Sequence, residues 1–337
     1  MLEKPDLPDE RLIACLRDEY GLPISDIAFL PLGNDVNTAV YRVADDATPY
    51  FLKLRRGAFD EATVALPRLL SDRGIVQIIA PIATRAGQLW TRVDAFTVTL
   101  SPFVVGHNGF TVALSDRHWV DLGVALKGIH TAVVPQALSQ HIPHETYSPY
   151  WRESVRAFQM RAEDTAFDDP VAAQLAAFLR ARRGEIVDLV WRAERLGNAL
   201  RERSLEHVLC HADIHAGNVL IGANDALYIV DWDTLIFAPK EHDLMFVGAG
   251  IGGVWNSPRE EALFYRGYGQ TAIDPMALAY YRYERIVQDI AAYCEALLLT
   301  DEGGADRAQG LRYLVDSFLP GNEVEIADRS DTLRGAG

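Results

Sequence analysis

At 337 residues with 49% hydrophobic content, the chain is long enough for one large domain or two lobes around a sizeable core. A formal net charge of -15 argues against nucleic acid or an anionic membrane as partner, and suits a cationic small molecule as well as plain solubility. No run approaches the ~20 apolar residues of a membrane span, the acidic opening lacks a signal peptide's basic and apolar regions, and Cys15, Cys210 and Cys294 are odd in number and far apart. The expectation is a soluble, cytoplasmic protein with reduced thiols and neither disulfide framework nor zinc site.

In chain order, residues 8–20 place Leu12, Ile13 and Leu16 at helical spacing. Residues 27–33 and 38–43 read as a hairpin around the turn Gly33-Asn-Asp-Val-Asn37, with 50–54 as the next strand. A helix is expected over 60–70, and 88–92 with 96–105 suggest a second hairpin ending at Gly106. Beyond that point the pattern turns helical. Residues 115–131 open on a Ser cap and repeat Trp119, Leu122, Leu126 and Ile129, and 149–164 and 170–206 supply further long helices. Three more, over 239–247, 258–268 and 275–300, each open on a proline, while 327–337 is polar and expected to be loose.

Between those helical stretches lies the densest chemistry. Val208-Leu-Cys210 reads as a short strand, followed by His211-Ala-Asp-Ile-His-Ala-Gly-Asn218. Residues 218–221 and 227–230 read as two more strands around the turn Gly222-Ala-Asn-Asp225, and Asp231-Trp-Asp233 follows. Asn218 would start one arm and Asp231 leave the other, so the hairpin returns both side-chain oxygens to one end. Asp213, five residues before Asn218, sits on the preceding loop, where a base can face an incoming hydroxyl. One carboxylate for a proton, then a carboxamide and a carboxylate for a metal, is the order that phosphoryl transfer from Mg-ATP requires.

Lys53 stands within the apolar strand Phe51-Leu-Lys-Leu54, where an unpaired ammonium is costly. It needs an anion; a bound phosphate together with Glu61, on the helix expected at 60–70, is the proposal. Only Lys4, Lys53, Lys127 and Lys240 occur, none in a Gly-Lys-Ser/Thr, so a Walker-type loop is excluded. Gly248-Ala-Gly-Ile-Gly-Gly253 matches Gly-x-Gly-x-x-Gly, but no βαβ series surrounds it and a loop is the better reading. His211-x-Asp213-x-His215 also resembles a metal cluster, yet no distant histidine (His107, His118, His130, His141, His144) stands in a ligand spacing. A noncatalytic, kinase-like ligand-binding protein is the third class, and the joint presence of Lys53, Asp213, Asn218 and Asp231 speaks against it.

Through 26–53, Asn108-Gly-Phe110, Tyr147-Ser-Pro149, 211–233, Ala238-Pro-Lys240, Asp243-Leu-Met-Phe246 and Tyr283-Glu-Arg-Ile-Val-Gln-Asp289, nearly the whole chain resembles the aminoglycoside phosphotransferases, and among them those acting on spectinomycin. The resemblance implies an α+β, bilobal protein-kinase-like fold. An N-terminal antiparallel-sheet lobe would span 1–100, a hinge 101–106, and a larger, mainly helical C-terminal lobe 107–337 with the catalytic loop at 211–218 and the metal-binding segment at 231–233. It implies transfer of the ATP γ-phosphate, with Mg2+, to the 9-hydroxyl of spectinomycin or a similar cationic acceptor, conferring resistance. Asp213 would be the base and His215 would approach the transferred phosphate. Asn218 and Asp231 would hold magnesium, and Lys53 the ATP phosphates. Gly33, Asn34 and Asp35 would cover those phosphates, while backbone groups around Ser101 and Phe103 would read adenine. Asp213, Trp255, Tyr283, Glu284 and Asp289 are the candidates for the acceptor's amines. Asp243 is expected to support the catalytic loop from behind, and Ala212 stands where many relatives carry Gly. Choline, homoserine and methylthioribose kinases share this core, so its chemistry leaves the acceptor open.

Overall fold

The computed structural model describes residues 4–33, 37–300 and 304–331. The strands are β1 (Asp26–Leu30), β2 (Thr38–Ala44), β3 (Pro49–Arg56), β4 (Thr91–Val93), β5 (Phe96–Pro102), β6 (Gly106–Asn108), β7 (Val208–Cys210), β8 (Val219–Gly222), β9 (Leu227–Ile229) and β10 (Ile236–Ala238). The α-helices are α1 (Asp9–Cys15), α2 (Ala62–Asp72), α3 (Asp116–His130), α4 (Gln136–Ser139), α5 (Tyr150–Asp164), α6 (Pro170–Ala181), α7 (Arg183–Arg201), α8 (Glu241–Leu244), α9 (Pro258–Tyr268), α10 (Pro275–Leu298), α11 (Gly304–Ser317) and α12 (Glu323–Ser330). Sheet plus many helices makes the α+β class expected from the sequence.

The chain forms two compact units. The first comprises Met1–Leu114, Ala132–Ile142 and Gly217–Leu235, the second Ser115–Thr131, Pro143–Ala216 and Ile236–Gly337. Gly217–Leu235, which holds the hairpin carrying Asn218 and Asp231, groups with the N-terminal sheet.

The first unit is built on an antiparallel sheet in the order β1-β2-β3-β5-β4. Strand alternation buries Leu52 and Leu54 of β3 in a core with Leu12, Leu16, Tyr41, Val98 and Leu100, and turns Lys53 and Arg55 to the opposite face. A second sheet runs β6-β8-β9. Gly106 therefore opens a strand instead of closing the hairpin expected there. A Cβ on Gly106 would meet the Ile221 carbonyl oxygen at 2.2 Å, so only glycine permits that approach. The Ile229 amide donates to the Gln77 carbonyl, and Ile78 bridges Ile229 in parallel.

In the second unit α10 packs against α5, α7, α8, α11 and α12. Its buried stripe, Tyr283, Val287, Ile290, Cys294 and Leu297, follows the helical period. The stretch 170–206 divides at Arg182 into α6 and α7, the helix expected at 239–247 contracts to α8, and Ala327 is buried within α12, so 327–330 is helical instead of loose. Ser115 caps α3 as expected, accepting from the His118 amide. Among the described residues no helix is long and apolar enough to cross a membrane.

Helices α3 and α9 meet backbone to backbone. A Cβ on Gly267 would lie 2.0 Å from the Val120 carbonyl oxygen, and one on Gly123 2.2 Å from that of Phe264. Gly267→Ala is therefore expected to lower stability by about 2–3 kcal/mol through overpacking, read as a lower urea midpoint. Gly184→Ala, which meets nothing within 4 Å on α7, serves as control and should stabilise by up to about 1 kcal/mol. Equal midpoints for the two variants would refute the close crossing.

Candidate active site

Residues 211–216 of the second unit follow β7, which pairs antiparallel with β10. As the chain leaves Cys210, the His211 and Ala212 amides donate to the Asp243 carboxylate at 2.9 and 2.7 Å. The His130 ring, itself bonded to the Tyr268 hydroxyl at 2.8 Å, meets the same carboxylate at 3.0 Å. Burial alone would push the Asp243 carboxyl up; the hydrogen bond and charge of His130 overcome it and hold the pKa below the usual carboxylate value. The support expected from Asp243 is thus present, through two backbone bonds and an imidazole. Ala212 has φ 69, a left-handed conformation that glycine adopts without a penalty.

That bend presents Asp213. Its amide donates to His211 Nδ1 at 3.3 Å, while its carboxylate lies between two side chains: Oδ1 is 2.6 Å from Arg285 Nη1 and Oδ2 is 3.4 Å from His215 Nε2. Burial opposes ionisation here too, yet the His215 hydrogen bond and the Arg285 charge hold the pKa well below the ordinary range. Arg285 was not anticipated from sequence. It reaches from α10 to the loop, donates through Nε to Asp289 at 3.0 Å, and stands 5.4 Å from the Phe246 ring centroid. Its i,i+4 spacing to Asp289 was the only sequence signal, and a helix pair gives no hint of a partner on a distant loop.

In the first unit the β8-β9 hairpin does return Asn218 and Asp231 to one end: the Val230 amide donates to the Asn218 carbonyl at 3.0 Å. Asp225, at φ 59, makes the turn, and Asp231, at φ 64, bends the chain as it leaves the second arm. Lys53 Nζ lies 2.7 Å from Asp233 and 3.4 Å from Asp231. Burial disfavours its ammonium, but the two carboxylates outweigh that and raise its pKa. Arg55, two residues along the same face of β3, donates to Asp233 at 3.0 Å. The proposed partner Glu61 is corrected: it is exposed at the start of α2, whose first turn is capped by Asp60, and the carboxylates at Lys53 are Asp231 and Asp233. The sequence placed an Asp-x-Asp after the strand, but no spacing rule tied its second member to β3.

The remaining expected positions divide. Gly33, at φ 85, fits a turn, whereas Asn34 and Asp35 lie outside the described residues. Ser101 is opposite Phe51 within the sheet, and the Phe103 amide donates to the Pro49 carbonyl at 3.2 Å. Trp255 and Tyr283 are corrected as cation-contacting faces. The Trp255 ring is buried edge-on to Trp119 at 5.1 Å, and Tyr283 is 0% exposed with its hydroxyl bonded to Asp328 at 3.0 Å. Glu284 pairs with the buried Arg152 at 3.2 Å, an arginine that also donates to the Tyr147, Ser148 and Ala193 carbonyls. Burial pushes the Glu284 carboxyl up to about 7 with Arg152 opposing, so its evident work is to hold this loop. Asp289 stands beside Arg285, which links it to Asp213.

Among the described residues, the His, Cys and carboxylate groups close enough to share a metal ion are His130, Cys210 and Asp243, not His211, Asp213 and His215. That buried trio is already satisfied: Asp243 is taken by two amides and His130, and the Cys210 thiol faces the Ala238 and Pro239 carbonyls at 3.7 Å. The metallohydrolase reading has no further support.

Comparison with known proteins gives the same direction. The chain is similar to spectinomycin phosphotransferase APH(9)-Ia, whose crystal structure in complex with ADP and spectinomycin has 40% sequence identity, a TM-score of 0.91, and a match covering 97% of this chain and 99% of that one. Protein StrN of Streptomyces griseus is 28% identical over 250 residues, 72% of this chain and 74% of that protein. The amicoumacin kinase hAmiN, in complex with AMP-PNP, Ca2+ and Ami, shares the fold at a TM-score of 0.60 with 16% identity, covering 96% of this chain and 94% of that chain. Residues 28–281, from within β1 to within α10, match the phosphotransferase enzyme family. A match over that range, which takes in Lys53, Asp213, Asn218 and Asp231, makes this chain a member of that family of kinases.

Proposed function

We propose that this phosphotransferase moves the γ-phosphoryl group of ATP to the 9-hydroxyl of spectinomycin or a closely similar cationic aminocyclitol, and so confers resistance. The observation that carries the proposal is the 40% identity over 97% of the chain to the spectinomycin phosphotransferase. Likeness confined to the catalytic core would speak for phosphoryl transfer in general. Likeness running through α10 and the loop at Tyr147 speaks for the acceptor as well.

In the proposed reaction Asp213 accepts a hydrogen bond from the acceptor hydroxyl and orients it. The acceptor oxygen bonds to the γ-phosphorus as the bond from that phosphorus to its bridging oxygen breaks, ADP leaves, and the hydroxyl proton passes late to Asp213 and on to solvent. A carboxylate held well below its usual pKa is a weak base, which suits late proton transfer from a loose transition state. Lys53 turns its ammonium toward the phosphates, with Arg55 beside it on the strand. Since the Phe103 amide is committed to Pro49, a contact from that residue to adenine would use its carbonyl.

The carboxamide of Asn218 and the half-exposed carboxylate of Asp231 are hard oxygen donors of the kind Mg2+ accepts, and Lys53 beside Asp231 shows that the position already balances positive charge. These two residues would hold the ion, which when bound supplies positive charge at the phosphates. Action in the cytoplasm is part of this proposal.

Asp213→Asn is expected to retain nucleotide affinity while losing roughly 10²- to 10⁴-fold in kcat, measured by ADP release; normal turnover would remove the base assignment. Asp231→Ala should abolish the dependence of ATP binding on Mg2+ in calorimetry, and an unaltered metal dependence would dismiss its ligand role. The acceptor itself is tested by presenting wild-type protein with spectinomycin, 2-deoxystreptamine aminoglycosides, choline and homoserine. Turnover with spectinomycin is expected, and turnover confined to another alcohol would keep the chemistry and discard the acceptor.

A further inference from the structure

The arrangement around the proposed base contains a group that the reaction scheme does not use. Arg285 approaches Asp213 Oδ1 at 2.6 Å, donates from Nε to Asp289 at 3.0 Å, and lies against Phe246 with its guanidinium carbon 5.4 Å from the ring centroid. On the other side His215 stands 3.4 Å from Asp213 Oδ2. Each carboxylate oxygen is thus held by a different cationic or imidazole group, one from α10 and one from the loop itself. Contacts to both oxygens of a carboxylate from different directions restrain its plane.

We infer that Arg285 is a positioning residue for phosphoryl transfer: from α10, braced by Asp289 and Phe246, it fixes the orientation and charge of the Asp213 carboxylate toward which the acceptor hydroxyl is directed. The inference rests on Asp213 being the base, and it adds a residue to that reading. An arginine suits the task because its planar fork can serve Asp213 through Nη1 and Asp289 through Nε at once, which a lysine ammonium on a flexible stem does less well. A carboxylate left to swing would forfeit the alignment on which transfer depends, a loss on the order of 100-fold for a displacement near 1 Å. The guanidinium also offsets a negative charge that would otherwise repel the transferred phosphoryl group.

The sign of the pH effect follows from the charges that surround the pair. His215 and Arg285 face Asp213; Asp289 faces Arg285, and the charge of Arg285 in turn bears on Glu323, Tyr293 and His242. Removing the guanidinium leaves Asp213 with burial and only the imidazole to oppose it. Its protonated form is then favoured at higher pH, and the acid limb of activity must move upward.

Two measurements separate this inference from the function on which it rests. The first needs no acceptor: wild-type protein labelled with 13C at aspartate carboxyl carbons, with Asp213 assigned through Asp213→Asn, is titrated by NMR. Asp213 remaining ionised below the ordinary aspartate range is expected, and titration within that range overturns the inference whatever the substrate. The second compares Arg285→Gln and Arg285→Lys in ADP release with the acceptor that wild type uses. The glutamine variant should lose about 10- to 100-fold in kcat with KM for ATP within about twofold, and its acid limb in kcat/KM should rise by about one pH unit or more. The lysine variant should restore most of the acid-limb position and part of kcat. A folded Arg285→Gln with unchanged kcat and pH profile overturns the positioning role. Should that variant fail to fold, Arg285→Lys and the wild-type titration still decide it. Silence of wild type with every acceptor would count against the proposed function and leave the titration result standing.

Discussion

The grip of one buried carboxylate on the backbone is the constraint from which the catalytic loop takes its shape. Asp243, 0% exposed, accepts from two successive amides at the end of β7 and from the imidazole of His130 on α3. Charge-assisted bonds to backbone amides are among the strongest neutral-pH contacts available, and a buried carboxylate deprived of them would cost about 3–5 kcal/mol. This grip outweighs the left-handed conformation of Ala212, a strain of about 1–2 kcal/mol for a residue with a Cβ. The turn so enforced aims Asp213 away from its strand.

The two compact units solve the same electrostatic problem in the same manner. Each places a cation between two carboxylates: Lys53 between Asp231 and Asp233 in the first, Arg285 between Asp213 and Asp289 in the second. In a chain of net charge -15, clustered carboxylates repel one another, and each of these cations offsets that repulsion. Burial makes the pairing matter more, since screening by solvent is reduced. A local excess of negative charge is thereby held in defined positions.

The arrangement of the site also explains which residues sequence reading could and could not find. The placement of Asp213, Asn218 and Asp231 was legible because it depends on a short stretch of chain in which loop, strand, turn and strand follow from local pattern. Lys53 was legible because an ammonium in an apolar strand demands an explanation, but its partner was misjudged. Glu61 was chosen from the helix expected to follow the strand, whereas Asp233 arrives from 180 residues away. The faces of α10 were misjudged too, with Tyr283 turned into the core where an aromatic facing a substrate had been expected. Arg285 was missed for the converse reason: in sequence it looks like half of an ordinary surface i,i+4 pair.

What the amino-acid sequence determined by itself is the local pattern: the spacing of Asp213, Asn218 and Asp231, a lysine in an apolar strand, and the strand and helix periods that make an α+β fold. Those are local properties, fixed by spacing along a few residues and by alternation of apolar side chains. Only the tertiary structure decided the counterions, Asp233 for Lys53 and Arg285 for Asp213, the grouping of the catalytic hairpin with the N-terminal sheet, and the hold of Asp243 on its loop. The physical reason is that charge pairing and close packing act through space, between residues whose separation along the chain carries no record of their contact.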